Sequence, residues 1–198
     1  MPASGSSYTA VAKTLHWLIA VAIIAMLIIG WTMTSLPKGE EKFALFQWHK
    51  SIGITILLLS VLRLIWRLAH SAPPLPAAMP RWEKIAARAS HALFYVLVIG
   101  MPLTGWAIVS SSPLNLPTML YGLVPWPNLP VLPDLANKKE IGHVLGGVHG
   151  YGAYILATLL ALHVAAALKH HFMDRDDVLT RMMPQSMTGL LDRLRGMP

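Results

Sequence analysis

Apolar positions along the chain fall into four long blocks, and most charged residues lie between them. Thr14 to Pro37 holds 24 residues without an Asp, Glu, Lys or Arg. At about 1.5 Å per residue a helix of that length outspans a hydrocarbon core of about 30 Å. A cleaved secretory signal has an apolar run of only about 7–15 residues and a small-residue cleavage site. This run is longer and ends in Ser35-Leu36-Pro37-Lys38, so it predicts a retained helix. The second block, 47–69, contains Lys50, Arg63 and Arg67 near its ends, where long side chains snorkel to headgroups. The third opens at Ala89 and stays uncharged to Pro133, but Pro113, Pro117, Pro125, Pro127, Pro130 and Pro133 rule out helix in its second half. The fourth lies within the uncharged stretch Ile141 to Leu168 and its flanks.

The pattern predicts an all-α, integral membrane four-helix bundle with helices at about 10–34, 47–69, 87–109 and 146–171. Residues 1–184 form one transmembrane domain in this reading, and 185–198 a basic tail. Between helices, 71–86 reads as a Pro-rich linker that turns interfacial at Trp82. The segment 110–142, with Tyr121 and Trp126 among its prolines, reads as an outer lid at the membrane surface.

Composition agrees: 55% of residues are hydrophobic and 13% charged, about half of the roughly 25% usual in soluble domains. The net charge of +7 is not spread evenly. With the amino terminus inside, 11 Lys and Arg face the cytoplasm and five face outward, while the acidic residues divide five to four. Short loops rich in Lys and Arg resist translocation, so both termini are expected in the cytoplasm. The basic charge is thus an orientation signal. No aromatic-interleaved motif accompanies it, and no nucleic-acid partner is expected.

The absence of cysteine excludes disulfides, thiolate zinc sites, iron–sulfur clusters and covalently attached haem. Any metal chemistry falls to the nine histidines. His149 and His163 are 14 residues apart, which on a helix means about 40° in direction and about 21 Å in height. His170 extends that stripe, whereas His143 points elsewhere. His49 opens helix 2 at the outer level of His149, and His16 lies at the inner level of His163. Two imidazole pairs at two depths are what two bis-histidine haems require. His91, at the inner level on helix 3, is an alternative ligand to His16. Zinc is disfavoured, because the two levels lie too far apart for three or four ligands to converge. Gly146, Gly147, Gly150 and Gly152 around His149, Gly53 after His49 and Ala165 to Ala167 after His163 would let a flat group approach the backbone; helix packing alone also favours such residues.

Several segments together resemble the bacterial cytochrome b561 family: Leu15-His16-Trp17-Leu18, His49-Lys50-Ser51-Ile52-Gly53, Val61-Leu62-Arg63-Leu64 and Ser90-His91-Ala92-Leu93. His149, Leu162-His163-Val164-Ala165-Ala166-Ala167, His170-His171 and Leu179-Thr180-Arg181-Met182-Met183-Pro184 continue the likeness, which covers roughly 8–110 and 143–184. The resemblance implies two non-covalent haem b groups, the inner one on His16 and His163 and the outer one on His49 and His149. It also implies a quinone site lined by His91 and His170, with ubiquinone as substrate; snorkelling alone would also account for His170. One family member is described as a superoxide oxidase. The function implied is electron transfer between the outer face and the quinone pool, with superoxide or a periplasmic redox protein as partner, and with no catalytic side chain assigned. If superoxide is the donor the protein is an enzyme. The same parts run in reverse would oxidise quinol for a periplasmic redox protein. A haem-bearing anchor for another oxidoreductase is the alternative. A transporter is disfavoured, since no acidic residue lies in the middle of a helix. The outer segment is longer than a compact member needs, and an outer net charge of +1 steers an anion only weakly.

Overall fold

Thr9 starts the first helix: its Oγ1 accepts the Ala12 amide at 3.2 Å, satisfying one of the open N–H groups of the first turn. The computed structural model describes residues 7–114 and 116–196, so residues 1–6 and 197–198 of the domain and tail expected from the sequence lie outside it, as does 115. α1 spans Ala10–Ser35 and ends just before Pro37, which cannot continue a helix. α2 spans Glu40–Ala69, α3 Arg81–Ser110 and α4 Lys138–Lys169, which runs on through a π-helical turn at His170–Asp174. A short α5, Gln185–Leu194, occupies the expected tail.

All four long helices are apolar and long enough to cross a membrane. α2, α3 and α4 begin earlier than the apolar windows at 47, 87 and 146. The added turns carry Glu40 and Glu41, Glu83, and Glu140. Carboxylates in a first turn favour the positive end of the helix dipole, so backbone hydrogen bonding extends each helix past the point where hydropathy stops.

The bundle packs in sequence, α1 on α2, α2 on α3 and α3 on α4. Its buried centre is Ile19, Ile23, Ile56, Val98 and Leu156, drawn from all four helices. Leu18, Val21, Ile28, Leu58, Val96 and Leu162 are exposed on the outside. Apolar side chains facing outward all round are expected of helices whose solvent is lipid.

Both chain ends meet at one end of the bundle. Tyr8 N–H and Ser7 Oγ donate to the Arg181 carbonyl at 3.3 and 3.1 Å, and Trp17 Nε1 donates to Met182 O at 3.0 Å. At the opposite end, the proline-rich segment forms a hairpin that the all-α expectation did not include. β1, Thr118–Leu120, pairs antiparallel with β2, Val124–Trp126. The turn needs positive φ at Tyr121 (53°) and Gly122 (74°), which glycine adopts without strain. The hairpin docks on α2: Ser51 Oγ accepts the Tyr121 amide at 2.9 Å, and Thr55 Oγ1 and Tyr121 OH share a bond of 2.7 Å. It therefore caps the end of the bundle next to His49.

Candidate functional site

Helical rise places the histidines at two levels, and their rings meet there. At the hairpin end His49 of α2 and His149 of α4 have ring centres 6.1 Å apart and planes inclined by 69°. At the termini end His16 of α1 and His163 of α4 are separated by 6.3 Å with planes at 66°. His91 of α3 also meets His163, at 5.9 Å, and Phe94 packs edge-on against it at 5.2 Å. The level at the termini end thus joins three imidazoles, and both partners considered for His163 are in place. His91 is exposed, whereas His16, His49, His149 and His163 are half-buried.

α4 carries a histidine at each level, yet among the described residues its backbone packs chiefly on α3 and at most loosely on α1 and α2, the helices its histidines face. Imidazoles meet across a gap that backbones do not close. At the hairpin end this gap opens into a cavity of about 320 Å³. Gly30, Gly53, Gly105 and Gly150 line it with the two histidines, and Lys50 is its one charged side chain among the described residues.

Two of those glycines set the rings. A Cβ on Gly30 of α1 would stand 3.4 Å from His49 Cε1, and one on Gly105 of α3 would stand 3.3 Å from His149 Cε1. Each imidazole at the hairpin end thus lies against a glycine of the preceding helix. The glycines expected to matter included Gly146 and Gly147, where an added Cβ meets nothing within 4 Å. Sequence alone offered no signal for Gly30 and Gly105, since they lie far from the histidines in the chain.

Thr104 fixes the His149 ring. Its Oγ1 donates to Met101 O at 2.8 Å and lies 2.9 Å from His149 Nδ1. A hydroxyl has one proton, already given to Met101, so Oγ1 must accept from Nδ1–H. The other nitrogen, Nε2, is then unprotonated and able to bind a metal. His49 Nδ1 is buried with no hydrogen-bond partner, leaving an imidazole nitrogen unsatisfied inside the bundle.

His170 sits apart from this array, in the π-helical turn. It is 9% exposed and faces carboxylates: Nδ1 is 2.7 Å from Asp176 and 3.1 Å from Asp174, and Nε2 is 3.7 Å from Glu83. Lys169 Nζ bridges Glu83 and Asp174 at 2.7 and 2.8 Å.

A cysteine-free membrane bundle with imidazoles facing one another at two depths has the frame of a b-type cytochrome. The chain belongs to the prokaryotic cytochrome b561 family, whose model matches residues 7–185. It is 32% identical to cytochrome b561 homolog 2 of Escherichia coli K12 over 90% of this chain and 92% of that protein. It is 31% identical to cytochrome b561 homolog 1 of the same organism, over 86% and 93%. A protein of Yersinia pestis named "Probable superoxide oxidase CybB" is 29% identical over 90% of this chain and 96% of its own length. The protein is therefore a bacterial membrane protein of a haem-bearing electron-transfer family.

The residues fit haem b. His49 with His149, and His16 with His163, would hold its iron: with metal–nitrogen lengths of about 2 Å and ring centres about 1 Å beyond each nitrogen, two imidazoles sharing one metal ion can stand up to about 6 Å apart. The separations of 6.1 and 6.3 Å meet that requirement. The apolar gap beside α4 and the free Nε2 of His149 suit a flat macrocycle held by nitrogen alone.

Proposed function

We propose that the protein holds two non-covalent haem b groups and carries electrons between the outer face of the bacterial inner membrane and the quinone pool. The observation that carries this reading is the pair of facing imidazoles at each end of α4, with an apolar layer of Ile19, Ile23, Ile56, Val98 and Leu156 between them. His49 and His149 would hold the outer group, and His16 and His163 the inner one. The groups supply one-electron redox chemistry, while the ligands, their hydrogen bonds and burial set its potential. The side chains do the rest: Thr104 keeps His149 in the ligating tautomer, and Gly30 and Gly105 leave room for the outer rings. Orientation follows from the 11 basic residues on the side of the termini against five opposite.

His91 and His170 then sit on the cytoplasmic side, where ubiquinone would take up two electrons and two protons. An imidazole nitrogen can both accept and donate a proton, which suits both residues to that site. Superoxide is the donor suggested by the name of the Yersinia pestis relative. The test mixes purified, haem-loaded, quinone-supplied protein with superoxide and follows haem absorption. Rapid reduction supports the reading; no reduction by superoxide, while dithionite reduces both centres, rejects superoxide as donor.

One observation favours a second reading, in which a periplasmic redox protein takes the place of superoxide and this chain serves as its haem-bearing anchor or relay. The outer lysines are poorly placed to steer a small anion: Lys42, Lys50 and Lys138 donate to the backbone carbonyls of Leu36, Pro117 and Pro133. Their charge is tied to loops and balanced by four outer carboxylates.

A further inference from the structure

The chain does something unusual just beyond α4. The α-helix widens into the π-helical turn His170–Asp174, and Arg175 then adopts a left-handed conformation with φ of 55°. Wide turns of this kind inside α-helices are frequent at functional sites, and a left-handed non-glycine residue costs energy that the surroundings must supply. The result is that residue 176 folds back onto residue 170. Asp176 N–H donates to His170 O at 3.1 Å, and Asp176 Oδ2 takes His170 Nδ1 at 2.7 Å. The other oxygen, Oδ1, accepts the Val178 amide at 3.0 Å, and Arg195 donates to the Asp176 carbonyl at 2.7 Å. Asp176 is thereby held at both ends of its carboxylate.

Three carboxylates face His170: Glu83 of α3, Asp174 of the turn and Asp176 just beyond it. Glu83 touches two neighbours at once, Oε1 on Lys169 at 2.7 Å and Oε2 at 3.7 Å from His170 Nε2. Glu83 is nearly buried, with its side chain 11% exposed, while Lys169 at 38% and Asp174 at 33% reach the solution. These groups form a continuous polar file from water to one nearly buried imidazole. Glu83, His170 and Asp174 also have the spacing of a metal site, but the Lys169 ammonium already bridges the two carboxylates.

We propose that Asp176 is the positioning residue and Glu83 the proton-feeding residue of His170, so that quinone protons enter from the side of the chain termini through Lys169, Asp174 and Glu83. This rests on the reading of His170 as part of the quinone site. Asp176 accepts Nδ1–H and fixes the tautomer, which leaves Nε2 as the edge that exchanges protons. In each turnover the quinone gains two electrons, delivered singly from a one-electron donor at the outer face, and two protons. Each proton passes from His170 Nε2 to a quinone oxygen, forming an O–H bond, and is replaced at Nε2 through Glu83 from water. No other oxidant or reductant is required.

The test uses purified, haem-loaded protein in liposomes, reduced with dithionite and then mixed with ubiquinone-1 while haem reoxidation is followed optically. Asp176→Asn and Glu83→Gln should keep the haem spectra, slow reoxidation about tenfold or more, leave the quinone KM unchanged and enlarge the solvent deuterium isotope effect. Asp176→Glu should restore most of the rate. Wild-type rates and isotope effects in both variants would overturn the proposal, as would a loss confined to KM. If Glu83→Gln loses its haem, Asp176→Asn with its Asp176→Glu rescue decides alone. If ubiquinone-1 fails to reoxidise the wild type, the quinone reading itself falls. If His170→Ala is slow while both carboxylate variants are normal, only this proposal falls.

Discussion

At the hairpin end, one imidazole pair faces an apolar cavity, each ring backed by a glycine and one of them pinned by Thr104. At the termini end, His163 has imidazole neighbours on two helices, and beyond it lies a file of charged side chains that reaches water. Between them Leu156, halfway along α4 from His149 to His163, joins an apolar plug drawn from every long helix. The contrast separates two tasks. An apolar pocket with fixed imidazoles suits an electron alone, because little has to reorganise there. A level with a spare imidazole and adjoining carboxylates suits an electron that must be matched by a proton. The five plug residues offer a proton no polar group, and ions and bare polar groups are costly in such surroundings.

The largest expected effect comes from removing the two α4 histidines one at a time. His149→Ala and His163→Ala should each leave about half the haem per polypeptide, each retaining the centre at the other level, as quantified by pyridine haemochrome against protein. Unchanged haem content in either variant would reject the assignment at that level. Loss of all haem from one substitution would show that the two levels are not independent, which would remove the basis of the contrast.

The inner level holds one imidazole more than a pair needs, and the next experiment asks which is spare. His16→Ala should lose the inner haem. His91→Ala should keep the full haem content and slow ubiquinone reduction, because His163 already has His16 as a partner and His91 is the most exposed residue of the three. The reverse outcome, haem lost from His91→Ala and kept in His16→Ala, would exchange the two roles.

A third variant probes the outer level through packing alone. Gly105→Leu places a branched side chain where even a Cβ would lie 3.3 Å from His149 Cε1. The ring must turn away, so the outer haem should be largely lost and the inner one retained. Gly105→Ala, which asks the neighbour to give by only a few tenths of an ångström, should bind both haems with a perturbed outer spectrum. A full outer haem in Gly105→Leu would show that the glycine does not set the ring.

The legible parts of this molecule were those governed by one helix at a time. Hydropathy marked the spans because lipid tolerates few charges, and the rise of α4 set His149 and His163 at levels where His49 and His16 also lie. What two elements make together was not legible. Gly30 and Gly105 act on rings belonging to other helices, and Thr104 stands 45 positions from its histidine. The hairpin at 118–126 was hidden by its prolines, which argued against helix without specifying a turn. His170 was placed on the α4 stripe by its spacing and given its quinone role by the family likeness, but its contacts with Asp174 and Asp176 depend on the π-helical turn and on Arg175, and neither leaves a mark in the sequence.

The smallest effect tests the finest distinction between the levels, the tautomer of one ring. Thr104→Val keeps the shape of the side chain and removes the oxygen that accepts from His149 Nδ1. That hydrogen bond makes the imidazole a stronger donor to a metal and so favours the oxidised iron. Its loss, about 1 kcal/mol, should raise the outer midpoint potential by about 40 mV. A redox titration followed optically would resolve this, with the inner centre as an internal reference because the plug separates it from Thr104. If both potentials move together, the substitution has disturbed the bundle as a whole. If neither moves, Nδ1 is not the protonated nitrogen, and the orientation of the outer ring rests on Gly105 alone.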